Sequence, residues 1–530
     1  AYHMGRKLVP MSGIGIWPLA AAASLLCQPA LRHDQPAAWR TTWARCAIAA
    51  TEPEVAQQLV QDTWFATAIA ARPAVLAPVF ETVRDEATAA LCTMNRPQRK
   101  DEAWRRTDLS LLFGASLTTP SPVIDSDVLS NVLDDGNEGG NEGLARVVIV
   151  NGNFSPDLSD LRGLPTGMFA GSLSDFEGDA TRDALLQAVR QMPETDADPR
   201  TALGCCQFGA LNQGCLSDVT LVYVPADTIA SVRLVILSSC SADDALAAQA
   251  ATSGATAQQR PTSFAISHPN VLVRLEPSAR LNLLQQYSGC GSYFSNGLTR
   301  LEIGEDALLE HTYLQEQGSQ AVHIDALLAS CDARSSYQLQ AVQTGARISR
   351  LNLGVSLQDV QASATVNGLM LASGNQLLDL HSSVLHSSGA CSSSQMQRNA
   401  LAGRARVVFK GAVQVPFGSD NTKADQLCRS LLLSDSARVD VQPTLEIFTD
   451  EVECTHGATI TDLDDEMVFY LQSRGLDRKQ ARTLLLQGWV NDCLSQVPLA
   501  RAKQRVVMKA GALALESERR VVRRSDLSSI

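Results

Sequence analysis

The sequence lacks the spacings that usually identify a nucleotide-hydrolysing or redox protein. There is no Gly-x-x-x-x-Gly-Lys-Ser/Thr phosphate loop, so we expect this chain itself to hydrolyse no ATP. The closely spaced cysteines that hold a resident ferredoxin-type cluster are missing, and so is a Gly-x-Ser-x-Gly nucleophile motif. These absences exclude several common enzyme classes and predict a non-catalytic chain.

Cysteine is present but is not arranged as a disulfide framework. The thirteen cysteines include no Cys-x-x-Cys pair and no even ladder of spacings, and the chain is 530 residues long. Secreted disulfide scaffolds are short and rich in cysteine, so reduced thiols in a reducing compartment are the better interpretation. Most of the thiols are therefore predicted to be small, buried hydrophobic side chains.

The chain also lacks a long apolar run and an excess of positive charge. Residues 14–27 are apolar, but they are interrupted by Pro18 and are too few to span a bilayer. A net charge of −12 argues against nucleic acid or an anionic membrane as the partner. The first fifty residues are basic with Asp34 as their single acid, which predicts a targeting leader over 1–50; an ordinary N-terminal extension is the alternative.

Changes in hydrophobic period divide the rest of the chain. Residues 51–117 have helical spacing, and 118–143 are rich in Pro, Gly and acids, which predicts an N-terminal helical domain followed by a mobile insertion. Residues 144–460 contain apolar segments of about four to six residues that are separated by Gly, Asn, Ser or Asp, which indicates short strands. A sandwich, a barrel and a solenoid all fit this pattern. Helical spacing returns over 461–530, where Asp477 and Gln480 are placed to form a helix cap.

The stretch Leu445–Gly457 predicts a strand that carries candidate metal ligands. Because successive strand side chains alternate, Cys454 and His456 are expected side by side on one face. A thiol and an imidazole form a mixed sulfur and nitrogen donor pair that suits iron or zinc. Gly457 predicts a turn or the close approach of another backbone. On residue type alone, a core cysteine and a hydrogen-bonded histidine remain the alternatives.

Several motifs along the chain occur together in one protein family. They are Trp104-Arg105-Arg106-Thr107-Asp108-Leu109, Asn367-Gly368-Leu369, Gln376-Leu377-Leu378-Asp379-Leu380-His381, Phe409-Lys410-Gly411, Arg429-Ser430-Leu431-Leu432-Leu433, Cys454-Thr455-His456-Gly457-Ala458-Thr459 and Phe469-Tyr470-Leu471-Gln472-Ser473-Arg474-Gly475. In their identity and order the sequence resembles the SufB/SufD family of iron–sulfur cluster assembly proteins, and most of all SufD. The resemblance implies a mainly β fold, a right-handed parallel β-helix (solenoid) over 144–460 flanked by N-terminal and C-terminal helical domains.

The resemblance also implies roles for individual residues. His456 matches a histidine implicated in nascent cluster assembly at the interface with SufB, and Cys454 matches a family cysteine, so both are predicted as metal ligands. Cys428 falls where SufB-like relatives carry an essential cysteine, although a buried structural thiol is the alternative. SufB-like chains have Glu where Gly457 stands, so this chain is not expected to build a cluster alone.

Partners follow from the same resemblance. The chain would be a scaffold subunit that pairs with a SufB-like paralogue and the ABC-type ATPase SufC, and the isolated chain could form a homodimer. The C-terminal helices are expected to dock the ATPase, with Tyr470, Leu485 and Trp489 as docking positions. The expected cofactor is a transient nascent cluster at the heterodimer interface, with none stably bound by the isolated chain. The compartment is predicted to be the plastid stroma, with a bacterial cytoplasm as the alternative.

Two other functions stay open on the sequence. Carbohydrate-active enzymes also use β-solenoids, but they need clustered Asp and Glu on one face, and residues 345–445 are poor in acids. A SufB-type cluster carrier is the second alternative. Anaerobic reconstitution of the isolated chain with iron and sulfide distinguishes it, because a carrier would hold a stable cluster.

Overall fold

Two parallel β-sheets form the centre of the protein, and helices lie before and after them. The computed structural model describes residues 60, 62–73, 77–121, 124, 126–133, 144–191, 202–240, 263–494 and 497–526. The leader predicted over 1–50 lies outside the described residues, and so does the acidic stretch 134–143.

Helices occur on both sides of the sheets and between the early strands. Within the described residues the α-helices are α1 (Thr63–Ala70), α2 (Glu81–Leu91), α3 (Ser110–Phe113), α4 (Ser126–Leu133), α5 (Asp179–Arg190), α6 (Cys206–Gly214), α7 (Asp465–Ser473), α8 (Arg478–Asn491) and α9 (Ala500–Asp526). Asp477 and Gln480 form the predicted capping box at the start of α8. None of these helices is both long and apolar enough to cross a membrane.

Helix α4 corrects the prediction of one mobile insertion over 118–143. Val132 on this helix is buried in a small cluster with Val148 and Val235. The apolar residues of α4 therefore cover the sheet, and this burial outweighs the loop-like composition of the flanking residues. Helices α5 and α6 likewise lie inside the range 144–460, which was predicted to contain strands.

The strands form two sheets. They are β1 (Ser116–Thr118), β2 (Ala145–Val150), β3 (Asn153–Phe154), β4 (Phe169–Ser172), β5 (Thr220–Val224), β6 (Ile229–Ser238), β7 (Ser263–Ser267), β8 (Asn270–Leu275), β9 (Arg280–Gly289), β10 (Tyr293–Ile303), β11 (Leu308–Gln315), β12 (Val322–Cys331), β13 (Ser336–Gln343), β14 (Ile348–Leu357), β15 (Ser363–Ala372), β16 (Leu377–His386), β17 (Ser392–Leu401), β18 (Arg406–Val415), β19 (Thr422–Leu432), β20 (Arg438–Ile447) and β21 (Val452–Thr461). Sheet A has the order β20-β18-β16-β14-β12-β10-β8-β5-β4, with β1 and β7 attached, and sheet B has the order β21-β19-β17-β15-β13-β11-β9-β6-β2-β3.

From β8 to β21, consecutive strands alternate between the sheets, whereas strands two apart pair in parallel. Leu380 of β16, for example, lies opposite Phe409 of β18, and Val366 of β15 lies opposite Gln395 of β17. Each pair of strands is thus one coil, stacked on the coil before it. This arrangement confirms the prediction of a β-solenoid flanked by helices and excludes the sandwich and the barrel.

The strands are longer than the four to six residues predicted, and most of the later ones span ten or eleven residues. Strand β17 has the sequence Ser-Ser-Ser-Gln-Met-Gln-Arg-Asn-Ala-Leu, in which little is apolar. Gln395, Gln397 and Asn399 nevertheless point into the solenoid and are buried. They remain buried because they hydrogen-bond to neighbouring polar side chains. Buried polar side chains therefore hid the true strand lengths from a hydrophobicity pattern.

One corner of the solenoid is built from residues with left-handed backbone. These residues have φ between 56° and 62° and are Asp227, Ser278, Asp306, Arg334, Gln361, Ala390 and Asn421. Each donates its backbone N–H to a carbonyl oxygen of the following coil; Ala390, for example, donates to Asp420 O at 2.8 Å. The corner is thus a ladder of backbone bonds that repeats from coil to coil. Because none of these residues is glycine, the corner could not be recognised from a glycine pattern.

The Trp104–Leu109 motif packs on the outer face of sheet A. The Arg350 guanidinium lies 3.8 Å from the centre of the Trp104 ring and donates to Asp379 Oδ2 at 3.3 Å. Thr107 also donates to Asp379. Burial by itself would raise the pKa of Asp379, but the charges of His381 and Arg350 hold it at about 2. The motif and three later coil residues therefore form one buried, charged cluster.

Arg106 extends this contact to the last strand of sheet A. Its Nε lies 3.4 Å from Asp440 Oδ1, and its Nη1 donates to Gln442 Oε1 at 2.9 Å. Both acceptors belong to β20. The N-terminal segment is thereby tied to the final coil.

The C-terminal helices fold back onto the outer face of sheet B. Leu486 of α8 and Val506 of α9 share a buried cluster with Leu314 and Leu431 of the sheet. Arg505 of α9 also forms a 2.7 Å ion pair with Glu316. The C-terminal helices and the outer face of sheet B therefore share one hydrophobic cluster.

Candidate functional site

The segment predicted as one strand over Leu445–Gly457 is divided between two sheets. Strand β20 ends at Ile447 in sheet A, and β21 begins at Val452 in sheet B. The residues between them form a corner, where Asn421 donates its N–H to Glu451 O at 2.7 Å. The prediction of one continuous strand was therefore wrong, because a polar corner segment leads the chain from sheet A into sheet B.

Cys454 and His456 both lie on β21 and project from the same side of it, as the alternation predicts. They pair in register with Ala424 and Gln426 of β19, whose side chains are buried inside the solenoid. Cys454 is half-buried against a small cluster that includes Val413, and this burial raises the pKa of its thiol. His456 is exposed, and its imidazole forms no hydrogen bond with any described residue. The imidazole is therefore available to a ligand from outside the chain.

The coil that carries this pair is the last one and is uncovered. Among the described residues, β20 pairs only with β18, and β21 pairs only with β19. Apolar side chains are exposed here that an additional coil would bury: Ile447, Phe448 and Ile460 are 37%, 65% and 50% exposed. The solenoid thus ends in two free strand edges and an open apolar face, which is a surface typical of protein pairing.

Gly457 does not form the predicted turn. It lies within β21, and a Cβ added there would approach the Leu427 side chain at 3.1 Å. The nearest group is thus a side chain. The alternative prediction, that another backbone approaches Gly457 closely, was therefore also wrong. The position offers neither a carboxylate nor any other ligand.

Cys428 lies in the preceding coil and is part of the solenoid core. Its side chain is 1% exposed, and Asn399 Nδ2 donates to its Sγ at 3.5 Å. Burial raises the pKa of the Cys428 thiol to about 11. Cys428 pairs in register with Ala458, which is four residues along β21 from Cys454. The Cα atoms of Cys428 and Cys454 are therefore roughly 14 Å apart, given the rise along a strand and the spacing between strands. The geometry fits the structural thiol better than the ligand.

The chain does not assemble a complete metal site from its own described residues. No group of three or more His, Cys, Asp and Glu side chains is placed to hold a metal ion in that part of the chain. Cys454 and His456 are therefore a partial donor set, and any ion held here needs ligands from elsewhere.

The three residues predicted for docking occupy different environments. Tyr470 on α7 is 50% exposed. Leu485 and Trp489 on α8 are partly buried against the cluster that joins the helices to sheet B. Arg398 also donates to Trp489 O at 3.1 Å and lies 5.6 Å from the centre of its ring. These two side chains therefore stabilise the fold, and Tyr470 alone is on a free surface.

The exposed apolar surface of the C-terminal helices includes residues that sequence reasoning missed. Phe469 is 72% exposed, Leu484 51% and Met467 48%, whereas Val468 is the buried residue of α7. The run Met-Val-Phe-Tyr is apolar around the whole helix, so its period does not reveal which side is buried.

Comparisons with known families match most of the described chain. The family model for the SUF system FeS cluster assembly, SufBD core domain, matches residues 255–489. The family model for the SufBD protein N-terminal region matches residues 60–234. The first match includes the open coil, helix α7 and most of helix α8, and the second includes the Trp104–Leu109 motif.

The matches to individual relatives cover most of the length of each relative. An iron–sulfur cluster assembly SufBD family protein of Synechocystis sp. is 29% identical over 80% of this chain and 88% of its own. The protein ABCI7, chloroplastic, of Arabidopsis thaliana is 26% identical over 91% of this chain and 95% of its own. The iron–sulfur cluster assembly protein SufD of Escherichia coli is 23% identical over 78% and 88%.

Proposed function

Because the chain belongs to the SufB/SufD family of iron–sulfur cluster assembly proteins, we propose that it is a non-catalytic, SufD-type scaffold subunit. The proposal depends on one observation: Cys454 and His456 project from the uncovered final coil, where a second chain can complete their donor set. The cluster is the cargo of such a subunit. It would be held transiently, since this chain supplies only a thiol and an imidazole.

A SufB-like paralogue is the proposed occupant of the open end. Its final coil would pair with the free edges of β20 and β21 and cover Ile447, Phe448 and Ile460. Strand addition would continue both sheets and bring the partner's ligands to Cys454 and His456. Gly457 contributes no carboxylate, so the partner would supply the oxygen ligand.

A SufC-like ABC ATPase is the proposed occupant of the exposed face of α7. This face presents Met467, Phe469 and Tyr470, and Leu484 of α8 is also exposed. Helix α7 begins a few residues after β21 ends. Movement of α7 by ATP-driven closure of two ATPase subunits would therefore reach the strand that carries the donor pair. In this mechanism, ATP binding opens the paired ends to iron and sulfide.

The proposed compartment is the plastid stroma. The Arabidopsis thaliana relative, which matches 91% of this chain, is named chloroplastic. A bacterial cytoplasm is the alternative, since the relatives also include a bacterial SufD.

Co-purification of the full chain with a SufB-like partner tests the pairing. We expect Ile460→Asp to weaken the complex at least tenfold, because it places a charge in an apolar interface. Ile229→Asp is the matched control, since Ile229 is 73% exposed on β6, at the start of the sheets. Equal binding by the Ile460→Asp variant would contradict the pairing, and self-association of the wild-type chain would favour a homodimer.

A second pull-down, with the ATPase, tests the docking face. Phe469→Asp is expected to reduce capture of the ATPase without changing thermal stability, because the side chain is mostly exposed. Met508→Asp on α9 is the control, at 64% exposure. Replacing Leu485 or Trp489 would test folding instead, since both pack on the sheet. Unchanged capture by the Phe469→Asp variant would refute this surface.

Anaerobic reconstitution with iron and sulfide separates the scaffold subunit from a cluster carrier. We expect the isolated chain to retain no stable cluster after desalting and the complex with its paralogue to retain one. A stable cluster on the isolated chain would favour the carrier.

A further inference from the structure

A column of polar side chains runs through the interior of the last coils and ends at His456. Gln395 of β17, Gln426 of β19 and His456 of β21 lie opposite one another in register. Gln426 Nε2 donates to Gln395 Oε1 at 2.9 Å, and Gln395 Nε2 donates to Ser382 Oγ at 2.9 Å. Neighbouring strands are about 4.8 Å apart, so each side chain in the column can reach the next.

Space for this column is provided by a glycine in the opposite sheet. A Cβ added to Gly411 of β18 would lie 2.2 Å from Gln426 Nε2. The Phe409-Lys410-Gly411 motif therefore includes a position where any side chain would displace Gln426. Gln426 is 2% exposed and is held by this close packing.

The column is incomplete at Gln426. Its Oε1 is buried and has no hydrogen-bond partner among the described residues. The next residue in the column is His456, whose imidazole carries an N–H donor in every protonation state. A buried amide oxygen favours a donor strongly once water is excluded. Pairing of the open end with another chain would exclude that water.

We propose that Gln426 is a positioning residue for His456: its Oε1 accepts a hydrogen bond from one imidazole nitrogen and turns the other nitrogen outward, toward the partner subunit. Histidine ligands commonly donate their second N–H to such an acceptor, which fixes the tautomer and the ring orientation. The inference rests on the proposed role of His456 as a ligand. Gln426 is a buried residue outside the Cys454–His456 ligand motif.

The experiment uses the full chain in complex with its SufB-like partner, with the histidine rings labelled with ¹⁵N. Long-range ¹H–¹⁵N spectra distinguish the two imidazole tautomers and need no bound metal. We expect His456 to adopt a single tautomer in the wild-type complex and a mixture in Gln426→Met, which keeps the side-chain volume and removes the acceptor. A mixture in the wild-type complex would overturn the proposal before any variant is made.

Gln397→Met is the matched control. Gln397 is also fully buried on a neighbouring strand and has an unpartnered Oε1, but it pairs in register with Cys428 and lies outside the His456 column. It should leave the His456 spectrum unchanged. Gln426→Glu, which keeps an acceptor oxygen, should preserve the single tautomer. Equal effects of Gln426→Met and Gln397→Met would show a general packing effect and refute the positioning role.

Anaerobic titration of the same complexes with ferrous iron gives the second measurement. Gln426→Met should weaken binding roughly 10- to 100-fold, as the loss of such an acceptor does at other metal sites. His456→Ala tests the ligand role of His456 separately from the positioning role of Gln426. If it leaves ferrous binding unchanged, the ligand role is wrong, whereas the tautomer spectra still decide whether Gln426 orients the ring.

Discussion

At the scale of single residues, the solenoid interior holds titratable groups that stay away from the proposed site. Asp325 is 0% exposed and accepts a hydrogen bond from Tyr313 Oη at 3.0 Å, and the same hydroxyl lies 2.7 Å from His323 Nε2. A Cβ on Gly297 would lie 2.4 Å from Asp325 Oδ1, so glycine is required opposite the carboxyl. This network fixes the packing of the middle coils, and all three side chains are fully buried.

Asp325 should make stability depend on pH. Burial raises its pKa to about 6, while His323, with a pKa lowered to about 3 by burial, stays neutral. Between the unfolded pKa near 4 and the folded value, the folded chain keeps a proton that the unfolded chain has lost, so stability falls as pH rises. Asp325→Asn removes the cost of ionising this buried carboxyl and should raise the free energy of unfolding by on the order of 2 kcal/mol at pH 7.

The measurement is urea unfolding of both proteins at pH 4.5 and pH 7. The gain from Asp325→Asn should be much smaller at the lower pH. A gain that is equal at both values would mean that Asp325 is not protonated in the folded state.

The two candidate thiols should differ in reactivity. Cys454 is half-buried at the open end, whereas Cys428 is buried with a pKa of about 11. Alkylation depends on access and on the thiolate fraction, so Cys454 should react at least about tenfold faster than Cys428 in the folded chain. Peptide mapping by mass spectrometry after brief treatment with iodoacetamide at pH 7.5 measures both rates. Denatured protein is the control, in which the two rates should converge.

At the scale of elements, the corners and the strands are stabilised in different ways. Strands are held by in-register pairing and tolerate polar interiors, as β17 shows. The repeated corner depends on left-handed backbone at one residue per coil. Non-glycine residues at these positions are strained, and the backbone ladder between coils compensates for the strain.

Ala390 offers a test of that strain. It is exposed, with φ of 57°. Ala390→Gly should stabilise the protein by about 0.5–1 kcal/mol, because glycine adopts this backbone without steric conflict. Ala390→Val should destabilise it by a similar amount or more, since a β-branched residue is disfavoured there. Thermal unfolding of the three proteins measures the order, and a destabilising Ala390→Gly would contradict the strain argument.

The N-terminal segment should stabilise the final coil locally. Arg106→Ala removes the contacts to Asp440 and Gln442, which are partly exposed and worth about 0.5–1 kcal/mol. Hydrogen exchange in β20 should then become roughly two- to fivefold faster, with little change in the melting temperature. Arg105→Ala is the matched control, because its guanidinium is 67% exposed and pairs, within the described part of the chain, with the nearby Glu102. Equal exchange in the two variants would refute the coupling.

At the scale of the whole molecule, the solenoid is covered unevenly. Helices α8 and α9 cover sheet B, and the N-terminal segment covers part of sheet A. The last coil keeps free strand edges and exposed apolar side chains. The least protected part of the solenoid is therefore the part that carries Cys454 and His456.

This unevenness predicts a hydrogen-exchange pattern. In the isolated chain, amides of residues 438–461 should exchange faster than those of β10–β14, because the terminal strands pair on one side only. Adding the SufB-like partner should slow exchange at 438–461 and leave β10–β14 unchanged. If protection appears elsewhere and the end coil stays as fast as before, the chains do not pair end to end.

The family, and through it the expected architecture, could be predicted from the sequence alone. Repeated short apolar segments predicted strands and left a sandwich, a barrel and a solenoid open, and the resemblance carried by the ordered motifs favoured a solenoid flanked by helices. The alternation of side chains along a strand placed Cys454 and His456 on one side. The strand and helix signals are local, because they depend on the period of side chains along a single element.

Tertiary structure decided what lies inside and what stays exposed. The length of β17 depends on hydrogen bonds between buried amides in successive coils, and the open end exists because no further strand follows β21 in the described chain. The burial of Trp489 and the exposure of Phe469 depend on which side of each helix meets the sheet. None of these features can be predicted from the side-chain period along one element, because each depends on contacts between residues far apart in sequence.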